Sequence, residues 1–456
     1  MWKNGSGDKT VVYTWATANT GTAYLDDVRI VPAADYTALE EKLTQAKAML
    51  SSPGSSTQEA IENLRLAVSA GEALADTANP DNVNTTQEEI AGALRDLETA
   101  MAAMDMTEPG VTVSGETFYI DAAQGDDSNS GTSPDQAWRT FQNVESLRLT
   151  AGGKLLLKAG CVWNGEKLHL INPTGTQENP VVLGRYGDES DPNPVINGNG
   201  NPWMYAAPSE SKEDAAVVHI DNPSHFIVEN LEVTNWEEDP ARLMNDGANS
   251  SWQGVPVTST IAYQQSKSLL TGILVLNKDG GDLPGVIVRN NYVHDVNGRM
   301  EPGNKKGTGG IIVMVTGGET ESSFSDLEIT GNKLEKVCHQ GIYLDSSWCT
   351  RYMVAGGQDW GGHWIGWDNV TISHNYLYEI AGDGIVMINV ASGLAEYNLV
   401  VKSASEAWNY SRNPAHAALW MWNSDNIVMQ FNEIANTESY QDGMAFDFDY
   451  GNQNMV

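Results

Sequence analysis

Val286-Ile287-Val288-Arg289-Asn290-Asn291-Tyr292-Val293 is the stretch on which the fold turns: a short apolar strand runs into asparagine, and a second apolar piece starts at once. The pattern of apolar, Asn, any residue, apolar returns in Phe226-Ile227-Val228-Glu229-Asn230-Leu231 and in Leu327-Glu328-Ile329-Thr330-Gly331-Asn332-Lys333-Leu334. It returns again in Val370-Thr371-Ile372-Ser373-His374-Asn375-Tyr376-Leu377 and Ile427-Val428-Met429-Gln430-Phe431-Asn432-Glu433-Ile434. Glycine-led apolar runs lie between these pieces, at Gly272–Leu276, Gly310–Met314, Gly341–Leu344 and Gly384–Ile388. A strand-only repeat of this kind indicates a solenoid or a propeller. A propeller blade needs four strands, and these units show two or three. Asparagine suits stacked solenoid bends, where its amide satisfies the neighbouring turn and its backbone tolerates the left-handed region. The chain therefore reads as mostly β, a right-handed parallel β-helix over 117–456.

Composition restricts what such a domain can do. The 456-residue chain carries a net charge of −34, which argues against nucleic acid or an anionic membrane as partner. No stretch is apolar enough for membrane insertion. The three cysteines, Cys161, Cys338 and Cys349, are too few for a disulfide framework; Cys338 and Cys349 could pair, or all could remain thiols. No signal peptide precedes the first strand-like residues, so the native protein is expected to begin earlier.

Two smaller regions come before the β-helix. Residues 1–33 hold strand patterns at Thr10–Trp15 and Ala23–Val31, read as the end of a β-sandwich whose earlier strands are missing. Residues 35–106 change to helical period, with stripes at Leu39, Leu43, Ala46 and Leu50, at Ile61, Leu64, Ala67 and Val68, and at Ile90, Leu94, Leu97 and Met101. Ser56-Thr57-Gln58-Glu59 and Thr86-Gln87-Glu88-Glu89 have capping-box spacing. This predicts a three-helix bundle acting as a spacer.

Chemistry concentrates near the C-terminus, in Gln441-Asp442-Gly443-Met444-Ala445-Phe446-Asp447-Phe448-Asp449-Tyr450. On a strand, Met444, Phe446 and Phe448 would enter the core while Ala445, Asp447 and Asp449 face outward in a row. A row of like charges costs free energy unless each has a partner or a task, and paired carboxylates with separated pKa values are what glycosidic cleavage uses. His416, Trp420 and Trp422 lie one turn earlier, so stacking would bring them close. Gln340 and Asp383 occupy the equivalent bend in earlier turns and are candidates to bind substrate. The insertion Ser346–Asp368 adds Trp348, Trp360, His363, Trp364 and Trp367 among glycines, a candidate aromatic wall for sugar faces. Trp408 reads as core. Asp121, Asp126 and Asp127 could hold a structural calcium, although turn capping explains them as well; the chemistry itself requires no cofactor.

The run Tyr24–Ile30 resembles the last strand of carbohydrate-binding β-sandwich modules, and 35–106 resembles helical spacers of secreted Gram-positive glycosidases. Tyr119-Ile120-Asp121, Gly125–Ser133, Ala137-Trp138-Arg139-Thr140-Phe141, Leu155–Gly160 and Trp163-Asn164-Gly165 resemble the entry to pectate-lyase-like β-helix enzymes. Together with Asp442–Asp449, residues 117–456 resemble the β-helix lacto-N-biosidases of glycoside hydrolase family 136. The resemblance implies a secreted or cell-surface bacterial glycosidase that retains anomeric configuration and releases lacto-N-biose from lacto-N-tetraose. It implies Asp442 as acid/base and Asp449 as nucleophile. Their odd interval would place them on opposite faces of one unbroken strand, so they converge only through a corner at Gly443. Asp447 with Asp449 shares a face without help and stays open as the rival pair. A polysaccharide lyase, another β-helix glycanase and a non-catalytic glycan binder also remain open. The chain stops just after the acidic strand with no polar closing segment, which leads us to expect further polypeptide, or a second chain, to complete the β-helix.

Overall fold

A computed structural model of the chain describes residues 2–3, 10–11, 36–51, 58–75, 87–105, 112–204, 211–243, 251–252, 255–256, 265–299, 306–351, 363–405, 416–438 and 442–456. It divides into two compact units, Met1–Thr107 and Glu108–Val456.

In the first unit, helices Thr37–Ser51, Gln58–Ala75 and Gln87–Asp105 bury Leu39, Leu43 and Ala46 against Ile61, Leu64, Val68, Ile90, Leu97 and Ala100. Leu50, Ala67, Leu94 and Met101 form the half-buried rim of that core. The capping residues Ser56, Thr57 and Thr86 lie outside the described residues. So does most of the 1–33 strand pattern, of which Thr10–Val11 pairs antiparallel with Trp2–Lys3. Among the described residues, no helix is long and apolar enough to cross a membrane.

The second unit is built on three parallel sheets of nine, eight and eight strands. The chain passes through them in turn: Val286–Arg289 in the first, Tyr292–Val296 in the second and Gly309–Thr316 in the third. The next circuit repeats this with Glu328–Thr330, Lys333–Val337 and Gln340–Ser346, each pairing with its counterpart one circuit before. Apolar side chains from all three sheets fill the interior, where Val288, Val293, Ile311, Ile329, Leu334 and Ile342 are fully buried.

The asparagine signature resolves into two adjacent positions with separate tasks. The first takes the left-handed backbone: Asn230 (φ 57°), Asn290 (φ 55°), Gly331 (φ 65°) and His374 (φ 56°). The second carries the amide ladder, in which Asn291 Nδ2 donates to Asn332 Oδ1 (3.1 Å), Asn332 to Asn375 (3.0 Å), Asn375 to Asn398 (3.0 Å) and Asn398 to Asn432 (2.9 Å). Each oxygen also accepts the backbone N–H of the preceding rung, as from Asn332 to Asn375 at 3.0 Å. A buried amide is thus fully used, which is why it is tolerated inside. Asn230 belongs to the first position, so in its circuit Leu231 stands where the ladder would be. In each of these circuits the corner between first and second sheet is the same length, as in Arg289 to Tyr292 and Thr330 to Lys333.

The glycine heading each third-sheet strand has a packing reason. A Cβ on Gly310 would lie 2.5 Å from Leu334 Cδ2, and one on Gly341 would lie 2.5 Å from Leu377 Cδ2. Only a residue without a side chain lets the second-sheet leucine fill that corner. All three cysteines are free thiols, with Cys338 fully buried beside Leu270.

Candidate active site

The outer face of the third sheet positions the acidic stretch. On strand Leu419–Trp422, Leu419 and Met421 turn inward, and Trp420 and Trp422 turn outward. The following strand, Phe446–Phe448, pairs with it in parallel and sets Asp447 directly opposite Trp420. Asp449 donates its N–H to Met421 O (3.1 Å), which carries it alongside Trp422. Before the strand, the Met444 N–H turns back onto Asp442 O, so the chain makes a tight corner at Gly443. The required corner is present, and Asp442, Asp447 and Asp449 line one cavity of about 280 Å³ with Trp420, Trp422 and His416. Phe446 and Phe448 stand in line with the inward Leu419 and Met421, but they are 45% and 50% exposed and Met444 is 37% exposed. The expectation that all three are buried fails, because in the described structure no circuit packs beyond this strand.

The three carboxylates interact. Asp447 has its pKa raised, first by partial burial and then by the charges of Asp449 and Asp442.

Behind the cavity a buried charge cluster fixes its wall. Asp383 is completely buried, and its oxygens accept Lys306 Nζ (2.6 Å), His416 Nδ1 (3.2 Å), Trp420 Nε1 (2.8 Å) and the Ala417 N–H (3.0 Å). Burial alone would raise the Asp383 carboxyl, but Lys306 and His416 overcome it and hold the group well below the usual carboxylate range. Lys306 also sits over the Trp420 ring, 4.5 Å from its centroid. Asp383 thus supports Trp420 and His416 and does not reach the cavity. Gln340, also fully buried, accepts the Gly307 N–H (3.0 Å) and contacts Asp383 (3.5 Å). His416 lines the cavity, and its buried Nε2 has no hydrogen-bond partner among the described residues.

The aromatic insertion does not form one wall. Trp367 is fully buried against Phe324, with centroids 5.1 Å apart, and belongs to the core. Trp364 has Arg351 over one face at 4.4 Å and donates its Nε1 to Asn423 O (3.2 Å). His363 is exposed near Glu321, 3.8 Å away. None of these lines the cavity; Trp360 and Trp408 lie outside the described residues. The calcium candidates are engaged in turns: Asp121 accepts the Ala123 and Gln124 N–H groups, Asp126 that of Ser128, and Asp127 those of Arg139 and Thr140.

Sequence reasoning missed Lys306, Tyr343, Asp345 and Ile388, which complete the cavity from earlier circuits. The Asp345 carboxyl is raised by burial against the opposing pull of Lys212. Lys306 adds a cation to the cavity, but Asp383 neutralises it and leaves little to grip a polyanion. Neighbouring carboxylates flanked by indole rings can donate a proton at one oxygen and stabilise a developing cation beside it.

No protein-family model matches the chain. A lacto-N-biosidase of Bifidobacterium longum subsp. longum is 28% identical over 409 residues, covering 79% of this chain and 25% of that protein. The crystal structure of a GH136 lacto-N-biosidase from Eubacterium ramulus superposes with a TM-score of 0.59 at 22% identity, covering 87% of this chain and 61% of that one. Its selenomethionine derivative gives 0.58 at 23% identity with the same coverage. The chain thus shares the fold of these structures and spans about a quarter of the length of the curated relative.

Proposed function

We propose that residues 117–456 are a right-handed parallel β-helix carrying the active site of a retaining glycoside hydrolase that acts on neutral oligosaccharides outside the cell. The relatives' names, lacto-N-biosidase, support release of lacto-N-biose, and the substrate proposed here is lacto-N-tetraose, cut to lacto-N-biose and lactose. The observation that carries the reading is the convergence of Asp442, Asp447 and Asp449 with two outward tryptophans on one cavity.

In this mechanism Trp420 and Trp422 stack on the apolar faces of the sugar. Asp442 protonates the glycosidic oxygen as Asp449 attacks the anomeric carbon; the bond to lactose breaks and a glycosyl ester forms on Asp449. Asp442, now a carboxylate, takes a proton from water, whose oxygen attacks the anomeric carbon and releases the ester. The negative charge of Asp447 would repel both neighbours, and partial burial and their charges raise its pKa. Asp447 is the rival for the acid/base role.

Proton NMR of the anomeric signals during lacto-N-tetraose hydrolysis tests this reading. Lacto-N-biose with retained configuration is the expected first product. Release of single sugars only, or an inverted first product, would overturn it.

A further inference from the structure

The third sheet carries a second polar cluster at its opposite end. His169 on Leu168–Ile171 stands directly opposite His219 on Ala216–Asp221, and Asp221 follows His219 on the same face. We propose that His169, His219 and Asp221 bind a divalent transition-metal ion of the zinc class, at a site separate from the glycosidase cavity.

Adjacent parallel strands set equivalent side chains about 4.8 Å apart. The two imidazoles accordingly stack with centroids 4.5 Å apart and ring planes 21° from parallel. One ligand atom from each of the three residues lies within 4.8 Å of the others. His169 Nε2 is 2.8 Å from Asp221 Oδ2, and His219 Nε2 is 2.8 Å from Asp221 Oδ1. Two imidazole nitrogens and a carboxylate form a donor set of the kind zinc takes, with bonds of about 2.0–2.2 Å. An opening of about half an ångström would bring the 2.8 Å gaps to the edge of a tetrahedron of that size.

An independent feature points to a ligand. His219 is only 4% exposed, yet neither of its ring nitrogens makes a hydrogen bond among the described residues. Its Nε2 and Asp221 Oδ1 are close but not aligned for donation, so both belong to the unsatisfied buried atoms. Leaving such groups unpaired is costly, and an ion held between them would satisfy both. The other nitrogen of His169, Nδ1, lies 2.8 Å from Glu145 Oε1. A carboxylate behind a metal-binding histidine fixes its tautomer and aims the opposite lone pair inward. Lys167 is nearby, facing Asp221, Glu145, Asp214 and Glu213, so the local balance stays negative.

The cluster is not an extension of the cavity. Six strand steps separate His219 from Asp447, roughly 29 Å at 4.8 Å per step. Buried Leu274, Ile312 and Val386 occupy the same outer face between them.

The test uses the tag-free full chain, stripped with chelator and titrated with zinc chloride against a chromophoric competitor. A parallel titration with cobalt(II) chloride reads the visible absorption of the bound ion. About one equivalent should bind, with the intense cobalt bands of a four-coordinate site. His219→Gln should weaken binding by at least about 100-fold. Glu145→Gln, at a side chain that is 67% exposed, should weaken it about 10–100-fold and leave the fold intact. If His219→Gln does not fold, Glu145→Gln carries the same measurement. Absence of a stoichiometric equivalent would mean that the triad is only a histidine–aspartate ion pair. That result, or affinity unchanged in Glu145→Gln, overturns the proposal.

Discussion

Trp420 Nε1 donates to Asp383 Oδ1 at 2.8 Å, so a buried carboxylate in one circuit holds the outward indole of the next. The same carboxylate neutralises Lys306 beneath that ring. The tryptophan wall of the cavity is therefore anchored to a charge that never meets solvent.

Asp383→Asn should destabilise the protein strongly, because Lys306 would remain buried without its counter-ion. Breaking one side of such a pair costs about 3–5 kcal/mol. Urea unfolding would measure it, and a loss below about 1 kcal/mol would mean that the cluster is not the anchor described.

Asp442→Asn and Asp449→Asn should each lower turnover of lacto-N-tetraose by about 10²–10⁴-fold or more with the fold unchanged. Added azide separates their roles. An acid/base variant should yield the glycosyl azide with retained configuration, and a nucleophile variant the inverted one. If Asp447→Asn gives the retained azide and Asp442→Asn does not, the acid/base role moves to Asp447.

Asp447→Asn should raise stability at neutral pH. The folded protein holds the Asp447 proton more tightly than the unfolded chain does, so this group's contribution to stability falls as pH rises through the window above 3.8. Below that window the carboxyl is neutral in both states and the substitution changes nothing. Denaturation of parent and variant at neutral and acidic pH should show a gain that disappears in acid. A gain independent of pH would contradict the charge clustering.

Asn332→Ala should remove a rung of the ladder: the Asn291 N–H and Nδ2 lose their acceptor, and Asn375 Oδ1 and Val288 O lose a donor, at about 1–3 kcal/mol for each group left unsatisfied. Thermal denaturation compared with an exposed control such as Asn179→Ala would register this.

Periodicity made much of this architecture readable. Strands of period two, a switch to 3.6 over the helices, and asparagine at each bend are local signals. The acidic row was legible for the same reason, since alternation alone places Asp447 and Asp449 outward. Lys306, Tyr343 and Asp345 were not, because they reach the cavity only through the register of circuits far apart in sequence. Trp367 and Trp364 occupy one glycine-rich loop, and nothing local distinguishes the ring packed on Phe324 from the ring capped by Arg351. His169 and His219 became neighbours by the same long-range pairing.

The corner with the amide ladder has another consequence, for how such a protein can change. An added residue there would displace an asparagine from its column and break the rungs above and below. The two corners flanking the third sheet hold only short amide pairs among the described residues, such as Asn423 on Asn389 (3.1 Å) and Asn235 on Asn201 (2.8 Å), and they range from the short bend between Val337 and Gln340 to the span between Ser346 and Val370. In the circuits that carry the ladder, length variation thus falls on the two borders of the face that bears the cavity, whereas the circuit before the signature begins does vary at the first corner, from Tyr186 to Val195. The scaffold can exchange the loops that meet a ligand while its winding stays in step.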